Sequence, residues 1–511
     1  MTDNIHTTGL DALYFASVDS SVKRITAVAG FPITAVAGKF IQERSKGAYE
    51  FHWFTSEKSA METALGASVS GCRSLVLVKH VGMNLLADPL ITSVTHTIGA
   101  GVVILAGDDP AAIGSQNEQD SRWYGKIAEV AVFDPSGPES AYKCLIRAFE
   151  ISEEASTPVI VRVTDRLEKS EGSIRRTARS SDAQLKFFDP SMWKLTMHGK
   201  HQRFHQKSYP LLNKEAENSS LSRVSIRGSI GIISSGIPSA IVDEFLSEDN
   251  RWAEVSHLAL GIVSPFPYRL VANFVKKHES ILVAEESEPF IESHVRIIGN
   301  MSGKETGHLP YGLLDREHIG FALENLDRPH VTEYTSIQTI AERGSKPICS
   351  DCPYMPLYRT LRRLDVMIAG DMGCSIRTAP EPLGAVDTGF SLGGAISTAC
   401  GFPEKGIAVI GDFGLAHSGI VGLINAVDHG SDVLIIVLQN DIAAMTGGQA
   451  TPDIKEAVRA LVPDMEVFDI DVSVRSMKET AVEKKLERMI ADKLQVKGVS
   501  VIYVKCKCLR F

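Results

Sequence analysis

No stretch of this chain approaches the ~20 consecutive apolar residues that a membrane-spanning helix needs. The apolar runs at 102–106 and 433–438 are only strand-length. A helical membrane protein is thereby excluded. The opening residues, Met1-Thr2-Asp3-Asn4-Ile5-His6, carry neither a basic region nor an apolar one, so no secretory leader is expected and the cytoplasm is the expected location. Cysteine is scarce, with 8 in 511 residues, which excludes a disulfide-built secreted scaffold. In a cytoplasmic chain, clustered cysteines point instead to metal ligation or redox chemistry. Positive charge is in deficit: 53 Lys and Arg against 62 Asp and Glu give a net charge of −9. With no long basic run, nucleic acid is not an expected partner. Internal repeats and low-complexity tracts are also missing.

What is present is ordinary globular composition, 44% apolar and 23% charged. A prior of ~150 residues per domain predicts about three domains. Strand-like and helix-like segments alternate through residues 1–170, with strands expected at 25–28, 74–78, 101–105 and 158–163 and helices at 57–70 and 138–152. Such alternation predicts a mostly parallel, doubly wound sheet covered on both faces. Periodicity fades over 171–227, which reads as a linker or surface strap. A second α/β block spans 228–315, a less regular crossing segment 316–346, and a third α/β block 347–511.

In the third block, two predicted strands end on oxygen-bearing side chains. The strand at 407–410 runs into Gly411-Asp412-Phe413-Gly414, and the strand at 433–438 into Gln439-Asn440-Asp441. Asn440 follows Asp412 by 28 positions, room for one helix and a return. Ligands of open α/β sheets bind at the carboxyl edge. Asp and Asn oxygens suit Mg²⁺, which reaches proteins through one or two such groups plus substrate phosphates. The pair therefore predicts a diphosphate-bearing cofactor held through magnesium; two ordinary loop turns are the alternative. In the first block Glu57 opens a helix, where the macrodipole favours a carboxylate. Cys349-x-x-Cys352, then Cys374, then Cys506 and Cys508 give a cysteine set that suits an iron–sulfur cluster. Structural zinc, a redox disulfide and plain buried thiols compete with it. Cys72, Cys144 and Cys400 lie on apolar patterns and read as core. His80 and His417 both stand close after strands; each is a structural hydrogen-bonder or a contact to cofactor or substrate.

The pairing of Gly411-Asp412 with Asn440 resembles the thiamine diphosphate enzymes, with Phe413 where a second glycine is usual. Further stretches make the resemblance specific: Gly30-Phe31-Pro32-Ile33-Thr34, Ser56-Glu57-Lys58, Val78-Lys79-His80-Val81-Gly82-Met83-Asn84 with Ala87-Asp88-Pro89, and Ser115 to Arg122. Cys349 to Pro353, Gly370-Asp371-Met372-Gly373-Cys374, and His417 to Ile420 leading to Ala444-Met445-Thr446-Gly447 complete the series. Together they resemble, in order, the large subunit of the indolepyruvate ferredoxin oxidoreductase family, 2-oxoacid:ferredoxin oxidoreductases dependent on thiamine diphosphate. The middle block matches at Gly231 to Gly236 and Ala284-Glu285-Glu286.

The resemblance implies a pyrimidine-binding thiamine diphosphate domain over 1–170, a transketolase C-terminal-like domain over 228–315, and a diphosphate- and Mg-binding domain over 347–511. Glu57 would activate the aminopyrimidine. Asp412, Asn440 and the Ile442 carbonyl would bind Mg²⁺. Asp387, Thr388, Gly389, Leu392, Gly393 and Gly394 would form the diphosphate loop, with Gly411, Phe413, Met445 and Thr446 also at the cofactor. Thr34 and Arg122 would hold the 2-oxoacid carboxylate, and His417 would touch cofactor or substrate. Cys349, Cys352, Cys374 and Cys508 would hold one [4Fe–4S] cluster, with Cys506 as the alternative fourth ligand. The implied reaction is oxidative decarboxylation of an aryl-pyruvate through a thiamine-bound enamine, with coenzyme A as co-substrate and ferredoxin as acceptor. Implied partners are a small beta-type subunit and a separate ferredoxin or ferredoxin-like subunit, in a homodimer or heterotetramer.

Departures accompany the match. The family's C-terminal ferredoxin-like domain is not found, Asp351-Cys352-Pro353-Tyr354 replaces Gly-Cys-Pro-His, and Gly448 replaces a histidine. These departures keep two other readings open: a non-oxidative thiamine decarboxylase or ligase, and a non-catalytic subunit.

Overall fold

In a computed structural model of the chain, the described residues are 4–45, 47–176, 186–332, 334, 348–470 and 479–511. They form two compact units, Met1–Ile340 and Ala341–Phe511. The end of the expected crossing segment, 335–346, lies outside the described residues.

The first unit is built on a seven-stranded sheet in the order Ile262–Ser264, Val132–Phe133, Val159–Thr164, Val102–Asp108, Ser74–Lys79, Arg24–Ala27, Glu50–Trp53. Every neighbouring pair is parallel except the edge strand Ile262–Ser264, which is antiparallel to Val132–Phe133. Strand residues alternate between two cores, as the pleat requires. Val103 and Leu105 join Leu13, Phe40 and Phe149 on one face. Ile104 and Ala106 join Met83, Leu86 and Phe290 on the other. Burial on both faces explains the continuous apolar strands. A four-stranded sheet, Ser280–Ala284, Ile230–Ser235, Ser256–Leu260 and Arg223–Ser225, shares the second core through Ile233 and Leu258.

The second unit holds a five-stranded parallel sheet in the order Ile368–Gly370, Gly406–Gly411, Val433–Gln439, Val499–Lys505, Glu466–Asp469. The strand Val433–Gln439 is buried along its whole length. Again residues alternate: Ile407 and Val409 face one core, Ala408 and Ile410 the other. Among the described residues no helix is long and apolar enough to cross a membrane.

Two features depart from the sequence reading. The expected linker folds in its described parts. Glu171–Arg175 pairs antiparallel with Asn4–Thr8, and helices Met197–Arg203 and Tyr209–Asn218 follow. These helices are short and mostly exposed, anchored by few buried residues such as Leu212 and Ala216, so they leave little periodic signal. The second difference is that Ile262–Ser264, from the middle block, completes the first sheet rather than the second.

The short helix Asp165–Lys169 buries Glu168, whose carboxyl is pushed up to about 8 by burial and then by neighbouring Asp165. Its folded-state pKa exceeds the unfolded value, so its contribution to stability is complete below about pH 4.5 and is lost as pH rises towards 8. Glu168→Gln removes this dependence. Thermal unfolding at pH 8.5 should show the variant melting at least roughly 2 °C higher than the parent, with the difference vanishing at pH 5. An equal shift at both pH values would refute the assignment.

Candidate active site

In the first unit the side chains singled out by sequence stand at the carboxyl ends of parallel strands. After Arg24–Ala27 the chain turns through Gly30 to Thr34, the first residue of helix Thr34–Gln42. The Gly30 N–H donates to Thr34 Oγ1 at 2.8 Å, and the Thr34 hydroxyl donates to the Gly30 carbonyl at 3.0 Å. Glu57 opens helix Glu57–Val69 and is buried. Its side chain lies against Gly82, where an added Cβ would come within 2.6 Å of it. Only glycine leaves that space, which accounts for Gly82 in the first turn of helix His80–His96.

His80 is fully buried, with Nδ1 3.1 Å from the Gly107 carbonyl and Nε2 3.1 Å from the Asn117 carbonyl. It braces the 115–122 loop against the sheet rather than facing a ligand. The same loop is fixed at Ser121, whose hydroxyl donates to Asp108 at 2.5 Å.

Arg122 does not occupy the place expected of it. Its side chain is 0% exposed. Nε and Nη2 donate to Asp120 at 2.9 and 2.5 Å, Nη1 pairs with Glu285 at 2.8 Å, and Nη2 also reaches the Glu286 and Glu288 carbonyls. The guanidinium is enclosed by these groups, with Nη1 near Glu285 but without a well-aligned hydrogen bond. Burial raises the carboxyl of Glu285, which Arg122 opposes, and the two carboxylates raise Arg122 against its own desolvation. The residue is a buried clamp between the loop and the second sheet.

In the second unit the two strand ends meet. Asp412 Oδ2 accepts the N–H groups of Asn440 at 3.0 Å and Asp441 at 2.6 Å, and Oδ1 accepts that of Phe413 at 2.8 Å. Asn440 Oδ1 accepts the Ile442 N–H at 3.1 Å. Burial pushes the Asp412 carboxyl up to about 6, against the pull of those N–H groups. The expected diphosphate loop lies on the neighbouring strand. Asp387 accepts the Ile368 N–H at 2.7 Å, and the Gly370 N–H donates to the Thr388 carbonyl at 2.7 Å. Gly393 has φ +81, and a Cβ there would meet Ser418 Oγ at 2.1 Å, so the tight return needs glycine.

Asp371 escaped the sequence reading. It is 1% exposed, accepts the Gly393 N–H at 2.6 Å, and is pushed up to about 7 by burial. His417 lies close enough to oppose that shift, and its ring lies beside Ser418 and Phe413. Asp371 thus holds the 391–394 loop through Gly393; its position directly after a strand was the available signal. Met445 is half-exposed, and the Thr446 hydroxyl lies 3.0 Å from Gln449 Oε1. Where the family histidine is replaced, at Gly448, the Phe511 ring takes up the space: an added Cβ would meet it at 2.6 Å.

Four cysteines converge. Burial pushes the Cys352 thiol up to about 12, and Cys374, Cys349 and Cys508 all add to the shift. Cys374 is likewise raised by burial and by Cys508 and Cys349, opposed by Arg377. Cys506 turns away: its thiol contacts the Ile470 carbonyl at 3.6 Å within the apolar core. Geometry therefore separates Cys508 from Cys506. Among the described residues no three His, Cys, Asp or Glu side chains are close enough to hold a single metal ion.

Comparison with known proteins gives the family. Residues 22–187 match the thiamine diphosphate-binding model of pyruvate flavodoxin/ferredoxin oxidoreductase. Residues 371–504 match the C-terminal binding domain of thiamine pyrophosphate enzymes. The indolepyruvate oxidoreductase subunit IorA of Archaeoglobus fulgidus is 30% identical over 87% of this chain and 76% of its own length. The IorA subunit of Methanothermobacter thermautotrophicus is 29% identical over 99% and 87%. That of Thermococcus kodakarensis is 28% identical over 98% and 85%. The solved structure of 2-oxoglutarate:ferredoxin oxidoreductase from Magnetococcus marinus, with 2-oxoglutarate, coenzyme A and succinyl-CoA bound, shares the fold. It superposes with a TM-score of 0.52 at 16% identity, over 63% of this chain and 65% of that one. With two thiamine diphosphate domains and full-length relatives of one kind, the chain belongs to the indolepyruvate oxidoreductase alpha-subunit family, thiamine diphosphate-dependent 2-oxoacid:ferredoxin oxidoreductases.

Proposed function

We propose that this chain is the catalytic subunit of an enzyme that oxidatively decarboxylates an aryl-pyruvate such as indolepyruvate. A 2-oxoacid and coenzyme A would yield the acyl thioester, CO₂, one proton and two electrons, the electrons leaving through one [4Fe–4S] cluster to ferredoxin. A small beta-type subunit and a separate ferredoxin-like subunit would complete a homodimer or heterotetramer. The observation that carries this reading is the second unit's sheet edge, where the Asp412–Asn440 clamp and the four converging cysteines occur together.

The residues suit the groups they would hold. An ionised carboxylate has about four acceptor positions, and Asp412 uses three on backbone N–H groups, leaving one for a cation. Burial makes the uncompensated anion costly, and Mg²⁺ would relieve that cost. Asn440 and the Ile442 carbonyl supply further hard oxygens. Asp387, Thr388, Gly389, Leu392, Gly393 and Gly394 would cradle the diphosphate, with Gly411, Phe413, Met445 and Thr446 beside it and His417 at the cofactor edge. Glu57, in the first unit, would hold the proton at the aminopyrimidine ring, and Thr34 would contact the substrate. Thiamine diphosphate supplies the electron sink for decarboxylation.

Cys349, Cys352, Cys374 and Cys508 would ligate the cluster. On ligand chemistry alone zinc and an iron–sulfur cluster both suit such a set; the thiamine diphosphate domains favour the cluster.

Three outcomes test this reading. Anaerobically purified protein should be brown, with absorption near 400 nm that bleaches when 2-oxoacid, thiamine diphosphate and Mg²⁺ are added; a colourless, zinc-loaded protein would sink the oxidative reading. Calorimetric titration should show Mg²⁺-dependent binding of thiamine diphosphate, lost in Asp412→Ala. Glu57→Gln should cost at least about 10²-fold in turnover while circular dichroism and cluster absorbance stay unchanged. Full activity in that variant would remove Glu57 from the mechanism.

A further inference from the structure

With Arg122 sealed, the first unit needs another cation if a 2-oxoacid carboxylate binds at its sheet edge. We propose that Lys79 is the residue that holds the substrate carboxylate. The inference rests on the function proposed above and goes beyond it in naming a residue that neither motif nor spacing assigned.

Lys79 is the last residue of strand Ser74–Lys79 and the N-cap of helix His80–His96. Four separate stretches meet on its side chain. Its stem lies across Gly30, where an added Cβ would come within 2.5 Å of the Lys79 Cδ. Its ammonium donates to Gln116 Oε1 at 2.8 Å. Glu57 and Asp109 act on it electrostatically. The side chain therefore stands among the Thr34 turn, the Glu57 helix start and the 115–122 loop. Burial lowers its pKa, which Glu57 and Asp109 partly oppose; a further anion would lessen that desolvation cost.

Three other first-unit cations are held in ion pairs. Arg162 is 1% exposed and pairs with Asp108 at 2.6 Å and with Asp134 at 3.4 Å. Arg166 pairs with Glu286 and Asp315. Lys58 pairs with Glu62 and Asp88 at the surface. The hydrogen bond of Lys79 is to a neutral amide oxygen, a weaker partner than a carboxylate. A 2-oxoacid carboxylate can replace Gln116 on the ammonium without breaking an ion pair, whereas recruiting Arg122 would leave Asp120 and Glu285 buried and unpaired.

The test uses the assembled enzyme loaded with thiamine diphosphate and Mg²⁺, and indolepyruvate as substrate. Lys79→Met should raise KM roughly 10- to 100-fold, the range of a lost charged hydrogen bond, with kcat within a few-fold and thiamine diphosphate affinity unchanged. Lys79→Arg should recover most of the loss. Arg122→Met should instead lower the thermal midpoint. An unchanged KM in Lys79→Met overturns the proposal. So does a fall in kcat alone, which would place Lys79 at Glu57, or a raised KM in Arg122→Met at unchanged midpoint, which would return the carboxylate to Arg122. A parent enzyme that binds no thiamine diphosphate defeats the proposed function itself; one that turns over normally while Lys79→Met does too defeats only the role of Lys79.

Discussion

The pairing of Arg122 with Asp120 and Glu285 is the constraint on which the first unit depends. All three side chains are 0% exposed. Removing charges from water costs several kcal/mol each, and an interior ion pair survives only when every partner is in place. The structure meets that demand with a network. Asp108 and Asp134 pair with Arg162, Glu286 with Arg166, and the Lys304 ammonium donates to the Pro310 carbonyl at 2.5 Å. These groups come from the first sheet, the 115–122 loop and the segment after strand Ser280–Ala284, so none of the three can move alone. The loop that borders Lys79 and Thr34 is rigid because its anchor is electrostatic and dry.

The second unit solves the same problem with carboxylates that grip backbone instead of cations. Asp412 holds the 440 loop and Asp371 holds the 391–394 loop, each through N–H donors. Those bonds lower the cost of burial only in part, since both carboxyls remain raised, to about 6 and about 7.

Much of this was readable from sequence, for identifiable reasons. Strands buried on both faces are unbroken apolar runs, and oxygen-bearing residues directly after them must stand at the carboxyl edge; Asp412 and Asn440 needed nothing more. The family stretches placed Glu57 and Thr34 at the same kind of edge. The burial of Arg122 was not legible because its partner Glu285 is more than 160 residues away, and a sequence does not reveal which guanidinium will be neutralised by a distant acid. Cys506 and Cys508 were inseparable because both follow the final strand, where the pleat no longer dictates which way a side chain points. The strand Ile262–Ser264, inside the second α/β block, left no signal that it belongs to the first sheet: it pairs with Val132 and Phe133, a contact no local pattern encodes. Lys79 was visible as a strand end but looked like an ordinary charged residue until the loops around it were in place.

The order of strands also decides what can lie next to what in the second unit. Its first four strands run Ile368–Gly370, Gly406–Gly411, Val433–Gln439, Val499–Lys505. Cys374 follows the first of these and Cys508 the fourth, so the two strands that carry Asp412 and Asn440 lie between them. At about 4.8 Å per strand the outer pair stands roughly 14 Å apart, yet Cys374 and Cys508 influence one another directly. The chain must therefore bend beyond the strand ends to bring the thiols towards each other. Tyr354 lies close to the same groups. It is buried, donates to the Cys506 carbonyl at 3.1 Å, and feels Cys506, Asp412 and Cys352 together. Where the family has a histidine, Tyr354 thus puts a neutral phenol within electrostatic reach of both Asp412 and Cys352, adding bulk without adding charge.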